Sequence, residues 1–203
     1  MNFALASLVS MLALIVAFVE GQNPCGSGTG WRYSPHSRRC FKLFNTKVTW
    51  TMAEFKCVFQ GAHQISIHDL NDNQFLAEMA KQANIVWLGA AQFGSSRDYV
   101  WADGTPFIFE HWKNSRRPTY HPGRKCTKFV GSPGEYVVAS TGVKASAISG
   151  DWLQTCCKVQ VAYICAKPAT YMPGPIIEND DSETEQQQAT TTQDVRRSRL
   201  RLR

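Results

Sequence analysis

The hydrophobic pattern of the chain predicts a helix over about residues 50–60. The apolar residues that recur there at intervals of three and four are Trp50, Ala53 and Cys57. This spacing places them on one side of a helix, so we expect that side to be buried. Thr51, with Glu54 three residues later, would form a capping box in the first turn.

A second stretch with helical spacing follows at about residues 71–82. Its apolar positions are Phe75, Leu76, Met79 and Ala80. Asn71 precedes them, and an Asn side chain can accept a hydrogen bond from the unpaired N–H groups of a first turn. The pattern therefore predicts a helix that begins at Asn71, which caps it, and ends near Gln82.

Short runs of β-branched and aromatic residues, each bounded by turn-forming residues, predict strands in the rest of the chain. They are Ile85–Gly89, Tyr99–Trp101, Cys126–Val130, Glu135–Ala139 and Val159–Cys165. Between Gly104 and Lys125, charges and turn-forming residues follow one another without periodicity, which indicates a long loop. Two early helices, short strands and a long late loop place the chain in the α+β class.

The two ends of the chain differ from this central part. Residues 1–21 are almost entirely apolar but short for a bilayer span, which predicts a signal peptide and a secreted protein; a membrane anchor is the alternative. No second apolar run of membrane length follows, so we expect no membrane span in the mature chain. The tail over residues 169–203 is acidic, then rich in Gln and Thr, then basic, and we expect it to be disordered. The folded domain would occupy residues 23–168.

Secretion changes how the seven cysteines are interpreted. In an oxidising compartment they favour disulfides over metal sites and catalytic thiols. Six of them could pair in fifteen ways, so composition alone leaves the pairing open. The seventh cysteine is free, is bonded to another chain, or competes for a partner.

Several short motifs occur in a fixed order along the chain. They are Gly30-Trp31 with Cys40-Phe41, Trp50-x-x-Ala53-x-x-x-Cys57, Trp87-Leu88-Gly89, Trp101-x-Asp103-Gly104 with Trp112, and Trp152 spaced from Cys157 and Cys165. Together they resemble the C-type lectin-like domain in its long form, over nearly all of residues 25–165. The resemblance implies an α+β fold with two helices, small antiparallel sheets and a long late loop, stapled by disulfides.

The resemblance also implies a disulfide pairing. Cys25 would bond to Cys40, Cys57 to Cys165, and Cys126 to Cys157. Cys156 would then be left over, either as a buried or capped thiol or as the site of an intermolecular bridge.

In its sugar-binding members, the family that the chain resembles holds calcium with a Glu-Pro-Asn or Gln-Pro-Asp triplet and a Trp-Asn-Asp triplet. The corresponding residues here are Arg117-Pro118-Thr119 and Trp152-Leu153-Gln154. Calcium takes about six to eight oxygen ligands, whereas Arg117 is a cation and Leu153 has no side-chain oxygen. We therefore expect the sugar-binding calcium site to be missing, and no metal or other cofactor to be bound.

Signatures of catalysis are missing from the chain. The five histidines are scattered, and there is no G-x-S-x-G, H-E-x-x-H or phosphate-binding glycine motif. A zinc site built from His111, His121 and Cys126 would require Cys126 to be unpaired. We expect a protein that is not an enzyme.

Positive charge is concentrated in the predicted domain, where residues 23–168 contain 17 Lys and Arg against 9 Asp and Glu, a net charge of +8. The basic residues that we select as candidate ligand contacts are Lys113, Arg116, Arg117, Arg124, Lys125 and Lys128. Clustered arginines can bind sulfates, phosphates or carboxylates. The alternative is that these side chains are solvated charges that keep the domain soluble.

Two functions from different classes follow. The first is a secreted binding module that recognises an anionic glycan or a cell surface through the basic loop, without calcium. The second is a protein-interaction or structural role in the extracellular matrix, either with an extracellular protein or in a disulfide-linked dimer through Cys156. A calcium-dependent carbohydrate-binding lectin ranks third, and nothing in the sequence indicates nucleic-acid binding.

Overall fold

The computed structural model of the chain describes residues 23–137 and 142–170. The predicted signal peptide, the predicted tail from residue 171 onwards and the last two residues of the strand predicted over Glu135–Ala139 lie outside the described residues. All of the described residues belong to one compact unit.

Helix α1 runs over Trp50–Val58, within the predicted range. Its N-cap is Thr49, whose hydroxyl oxygen accepts a hydrogen bond from a first-turn N–H at 3.4 Å. The predicted capping box is therefore wrong, because Thr51 already lies inside the helix. The Glu54 carboxylate accepts the backbone N–H of Gln64 at 2.9 Å instead. Thr49 has the extended backbone of an N-cap, so this threonine, and not the next one, begins the helix.

Helix α2 runs over Leu70–Ala80 and continues into a 3-10 turn over Lys81–Ala83. Its N-cap is Asp69, whose carboxylate accepts the N–H of Asp72 at 2.9 Å. The predicted cap at Asn71 is therefore wrong by two residues. The helix begins at Leu70, which is half exposed. The start therefore lies before the buried apolar positions from which the helix was predicted.

Ten strands lie among the described residues. In chain order they are β1 (Arg32–Ser34), β2 (Arg39–Val48), β3 (His63–Gln64), β4 (Ile85–Ala91), β5 (Val100–Trp101), β6 (Cys126–Val130), β7 (Gly134–Val137), β8 (Lys144–Ala147), β9 (Trp152–Thr155) and β10 (Val161–Pro168). The five predicted strands correspond to β4, β5, β6, β7 and β10. The longest strand, β2, escaped prediction because Asn45, Thr46 and Lys47 interrupt its apolar pattern.

Eight of these strands form one sheet, in the order β1-β2-β10-β4-β6-β9, with β3 paired to β10 and β5 paired to β4. Strands β7 and β8 form a separate antiparallel hairpin. Within the large sheet only β10 and β4 are parallel. The α+β class with two helices is thus confirmed, while the expected small antiparallel sheets are one mixed sheet and one hairpin. The large sheet is mixed because the last strand, β10, lies between β2, to which it is antiparallel, and β4, to which it is parallel.

The two ends of the described domain lie side by side. Strand β10 pairs with β2 along most of its length. Beyond the strand, the N–H and the hydroxyl of Thr170 both donate to the carbonyl of Pro24, at 2.9 and 2.8 Å. These contacts continue two residues past the predicted domain end at residue 168.

Three disulfides link the elements, and they are the pairs that the resemblance implies. They are Cys25–Cys40, Cys57–Cys165 and Cys126–Cys157. The second joins α1 to β10 across 108 residues, for which the chain-entropy model gives about 4–5 kcal/mol of stabilisation. Cys156 is outside these pairs and partly exposed.

Aromatic packing fills the core beside the long loop. The buried ring of Trp152 lies 5.6 Å from that of Trp101 and 5.7 Å from that of Trp112, centroid to centroid.

On β4, Gly89 leaves no room for a side chain, since a Cβ there would lie 2.8 Å from the carbonyl oxygen of Ile65. Strand β4 therefore packs closely against the segment that carries β3.

Candidate functional site in the long loop

The long loop leaves β5 and returns to β6, and it is fixed to the sheet near its middle. Trp112 of the loop forms an isolated β-bridge with Trp152 of β9. The N–H of Trp152 donates to the carbonyl of His111 at 3.1 Å. A 3-10 turn over Lys113–Ser115 follows at once. The loop is therefore held against β9 where its basic residues begin.

An open cavity of about 710 Å³ lies between the loop and β9. The loop contributes Arg117–Thr119 to its wall, β9 contributes Trp152–Gln154, and the β7–β8 hairpin contributes Val137 and Ala145. The two triplets that the resemblance aligns with the family's calcium motifs thus meet in one cavity. The side-chain amide of Gln154 joins them by donating to the carbonyl of Thr119 at 3.4 Å. Nothing in the sequence placed the hairpin here.

A two-point ion pair lies within the loop. Nε of Arg117 donates to Oε2 of Glu110 at 2.9 Å, and a terminal guanidinium nitrogen donates to Oε1. The indole nitrogen of Trp112 donates to the same Oε2 at 2.5 Å. The bond from Arg117 holds the pKa of Glu110 below its ordinary value, and the same bond raises the pKa of Arg117. Arg117, one of the predicted ligand contacts, therefore has its charge already paired.

Three other predicted contacts line the cavity without such a partner. Lys113, Arg116 and Arg124 all contribute to the wall, and none of them forms an ion pair with another residue in the described part of the chain. His121, which was considered for a zinc site but not selected as a ligand contact, lines the same wall. An isolated histidine belongs to no motif, and only its position in the loop could have indicated it.

The last two predicted contacts, Lys125 and Lys128, are not among the residues that line the cavity. The ammonium group of Lys125 donates to the carbonyl of Gly94. Lys128 lies in the middle of β6, paired with Trp87 of β4 and Leu153 of β9. Burial there lowers the pKa of its ammonium group.

Groups able to hold a metal ion do not converge at this cavity among the residues that the structure describes. Among the described residues, one cluster of three such side chains exists. It consists of His36, Asp69 and Asp72, which do not line the cavity. The zinc site considered from His111, His121 and Cys126 has its cysteine in a disulfide.

Within the described residues, no helix has the length and apolar character needed to cross a membrane.

Known proteins share this sequence pattern. Residues 46–167 match the family model of the lectin C-type domain. The type-2 ice-structuring protein of Brachyopsis segaliensis is 29% identical over 140 residues, which are 69% of this chain and 71% of that protein. The galactose-specific lectin nattectin of Thalassophryne nattereri is 25% identical over 142 residues, 68% of this chain and 78% of that protein.

A solved structure has a fold similar to that of this chain. The crystal structure of a calcium-independent type II antifreeze protein superposes with a TM-score of 0.56 at 29% identity, covering 70% of this chain and 93% of that chain. Three other relatives are much longer proteins, and the chain spans 8% of their length. The chain belongs to the C-type lectin domain family, whose members are non-enzymatic binding proteins.

Proposed function

We propose that the protein is a secreted binding module that recognises an anionic glycan, or an anionic surface, through the long-loop cavity and without calcium. The observation that carries this proposal is the charge of the cavity wall. Lys113, Arg116 and Arg124 line it without ion-pair partners, whereas the acid of the loop, Glu110, is bound to Arg117. No carboxylate lies among the described lining residues to offset these cations.

Anions suit such a wall for two reasons. Guanidinium groups bind sulfate, phosphate and carboxylate oxygens through two parallel hydrogen bonds. A cleft with low-dielectric walls also concentrates the field of its charges and so attracts ligands of the opposite sign. The volume of about 710 Å³ lies within the range of about 300–1,000 Å³ that is usual for ligand pockets. One or two charged sugar units would fit this description.

Calcium does not fit the residues at the family's ligand positions. The Arg117 guanidinium is a cation bound to Glu110, and Leu153 has no side-chain oxygen. The Gln154 amide nitrogen donates to the hydroxyl of Tyr99 at 3.0 Å and to the carbonyl of Thr119. A calcium ion that needs about six to eight oxygens would find few of them here. This supports a calcium-independent mode of binding.

An extracellular location is part of the proposal. Three disulfides within about 140 residues are typical of proteins that fold in an oxidising compartment. The apolar segment over residues 1–21, with the features of a signal peptide, supports the same location.

A glycan array read with calcium and with a chelator tests the proposal. We expect the mature chain to bind sulfated or carboxylated glycans equally in both buffers. The binding should weaken steeply as salt is raised, because screening acts on exposed charges. Binding to neutral galactose or mannose that a chelator abolishes would overturn the proposal and indicate a calcium-dependent lectin.

A second candidate function, assembly with another copy of the chain, is favoured by the outer side of α1. Met52, Phe55 and Phe59 are exposed there, Phe59 to 75% and Phe55 to 54%. The Phe55 and Phe59 rings lie 4.9 Å apart, centroid to centroid. Clustered exposed aromatic residues are typical of interaction surfaces. This apolar side of the helix has no partner among the described residues.

The unpaired thiol lies near the same helix, which argues for a second copy as the occupant. The carbonyl of Cys157 accepts the N–H of Trp50, the first residue of α1, at 3.1 Å, so Cys156 is one residue from that contact. In a two-fold dimer, the apolar helix surfaces would pack together and the two Cys156 thiols would oxidise to one disulfide, with an oxidant of the secretory pathway taking up the two electrons and two protons.

Light scattering of the purified chain, with non-reducing electrophoresis, tests this assembly. We expect twice the chain mass by both methods. Cys156→Ser should remove only the covalent dimer, and Phe55→Ser with Phe59→Ser should dissociate what remains, whereas Lys56→Ser on the same helix should not. A monomer by both methods at every concentration would reject assembly.

A further inference from the structure

A cluster of three potential metal ligands lies where the turn between β1 and β2 meets the first turn of α2. His36 comes from the turn, and Asp69 and Asp72 come from the helix start. Nε2 of His36 lies 2.6 Å from Oδ2 of Asp69. One ligand atom from each of the three side chains lies within 4.8 Å of the other two. The cluster is remote in sequence from the long-loop cavity and plays no part in the proposed ligand binding.

One carboxylate oxygen of the buried member of the cluster lacks a hydrogen-bond partner among the described residues. Asp72 is only 2% exposed, yet its Oδ1 accepts no hydrogen bond from any described residue. An acid at the third position of a helix commonly reaches back to the N–H of the capping residue, and Asp72 makes no such bond. A buried carboxylate oxygen without a partner is costly, so its presence calls for a ligand or an ion. The hydroxyl of Ser37, next to His36, is likewise buried without a partner among the described residues.

We propose that His36, Asp69 and Asp72 form a binding site for a divalent transition-metal ion, of which zinc is the redox-inert example. One imidazole nitrogen and two carboxylates are a ligand set that suits zinc and neighbouring metals better than calcium or magnesium, which prefer oxygen ligands alone. Two carboxylates and a neutral imidazole also balance the double charge of the ion.

Metal binding at this site replaces an internal hydrogen bond. In the metal-free arrangement, Nε2 of His36 can donate its proton to Oδ2 of Asp69. The ion takes both atoms as ligands. An imidazolium form of His36 releases its Nε2 proton to solvent and keeps the one on Nδ1, whereas a neutral imidazole protonated at Nε2 binds after that proton has moved to Nδ1. Since His36 and Asp69 are each about half exposed, solvent has access and a water completes the coordination. The ion would fasten the β1–β2 turn to α2.

The chain provides a matched control for this site. Nδ1 of His63 lies 2.6 Å from Oε1 of Glu54, and the exposure of His63 is similar to that of His36. This second histidine–carboxylate pair has no third ligand nearby among the described residues. A metal site should therefore be sensitive to changes at His36 and insensitive to the same change at His63.

Zinc titration by calorimetry, with Cys156→Ser as the parent chain to exclude thiol binding, tests the proposal. We expect one zinc per chain, and a melting temperature that rises by about 4 °C at a zinc concentration about tenfold above Kd. His36→Gln and Asp72→Asn should each weaken binding by about tenfold or more, with loss of the stabilisation, while His63→Gln should leave both unchanged. Calcium at the same concentration should not compete.

Three results would overturn the site. They are the absence of saturable zinc binding to the parent chain, binding that His36→Gln leaves intact, and an equal loss in His63→Gln. Because His36 is exposed, its variant should fold even if Asp72→Asn does not, so the test stands on His36 alone if necessary.

Discussion

The indole N–H of Trp152 donates to the side-chain oxygen of Asn73 at 2.8 Å, which fixes the buried tryptophan of β9 to helix α2. The nitrogen of the same Asn73 side chain donates to the carbonyl of Gly150 at 3.1 Å. One buried amide thus satisfies two buried groups in the segment that leads into the cavity wall. The cavity is therefore positioned partly by a residue that does not line it.

Replacing Asn73 with Ala should destabilise the domain by about 2–6 kcal/mol, because two buried polar groups each lose a partner at a cost of about 1–3 kcal/mol. The shift of the urea unfolding midpoint measures the change. Asn71→Ala, at an exposed position on the same helix, should alter the free energy of unfolding by no more than about 0.5 kcal/mol. Equal effects of the two substitutions would contradict the role given to Asn73.

The ion pair between Glu110 and Arg117 predicts how stability depends on pH. The hydrogen bond from Arg117 depresses the pKa of Glu110 below its ordinary value of 4.5. The pair therefore contributes stability above pH 4.5, and this contribution is lost as the pH falls through the lower pKa of the folded state. Glu110→Gln should melt below the wild type at neutral pH, and the difference should shrink as the pH falls below 4.5.

Melting temperatures measured over an acidic pH series check this dependence. Glu78→Gln is the control, because Glu78 pairs with Lys81 at an exposed site on the surface, where ion pairs contribute little. Its melting curve should follow that of the wild type throughout. A Glu110→Gln difference that stays constant with pH would show that the charge of Glu110 does not matter.

The unpaired cations of the cavity should control affinity for anions. Arg116→Ala combined with Arg124→Ala should weaken binding of a sulfated oligosaccharide by about tenfold or more, since each charge-assisted hydrogen bond contributes about 1.5–3 kcal/mol. Calorimetry at two salt concentrations measures both the affinity and its salt dependence, and the salt dependence should become weaker in the variant.

A control variant with the same change in net charge separates local contacts from overall charge. Lys47 and Lys158 are exposed and lie outside the cavity wall. Their double replacement by Ala should leave the affinity within about twofold, because neither side chain lines the cavity and salt screens exposed charges. An equal loss in both double variants would mean that the domain attracts anions only through its net charge.

Non-reducing peptide mapping should find Cys126 bonded to Cys157 rather than to Cys156. The two cysteines are adjacent, but Cys157 is the one whose sulfur reaches Cys126 across the end of β9. A dominant bridge from Cys126 to Cys156 would contradict this arrangement and would leave a different thiol available for assembly.

Local patterns predicted the regular elements well. The run Cys126–Val130 became strand β6 with the same bounds, because β-branched and aromatic residues bounded by turn-forming residues favour a strand. The apolar side of α1 was predicted from the helical spacing of three residues. Helix starts were harder to predict, since a cap depends on backbone geometry. Thr49 and Thr51 have the same side chain, and only the extended backbone of Thr49 makes it the cap.

Apart from the disulfides that the resemblance implied, contacts between distant segments could not be predicted. His36 and Asp69 are separated by 33 residues, and no spacing rule connects a hairpin turn to a helix start. The pairing of Arg117 with Glu110 was hidden for another reason. A sequence lists charges, but it does not show which of them neutralise each other, so Arg117 looked as available as Arg116.

The hydrogen bonds from Thr170 to Pro24 mean that the chain enters and leaves the domain at neighbouring points. A domain with adjacent termini can be inserted into a longer polypeptide or joined to copies of itself without disturbing its interior, since only one place on its surface has to accommodate the connections. The same geometry makes the domain suitable for circular permutation. A short linker from Thr170 to Pro24 would permit new termini in the long loop. Such a variant would show whether ligand binding requires the loop to be continuous.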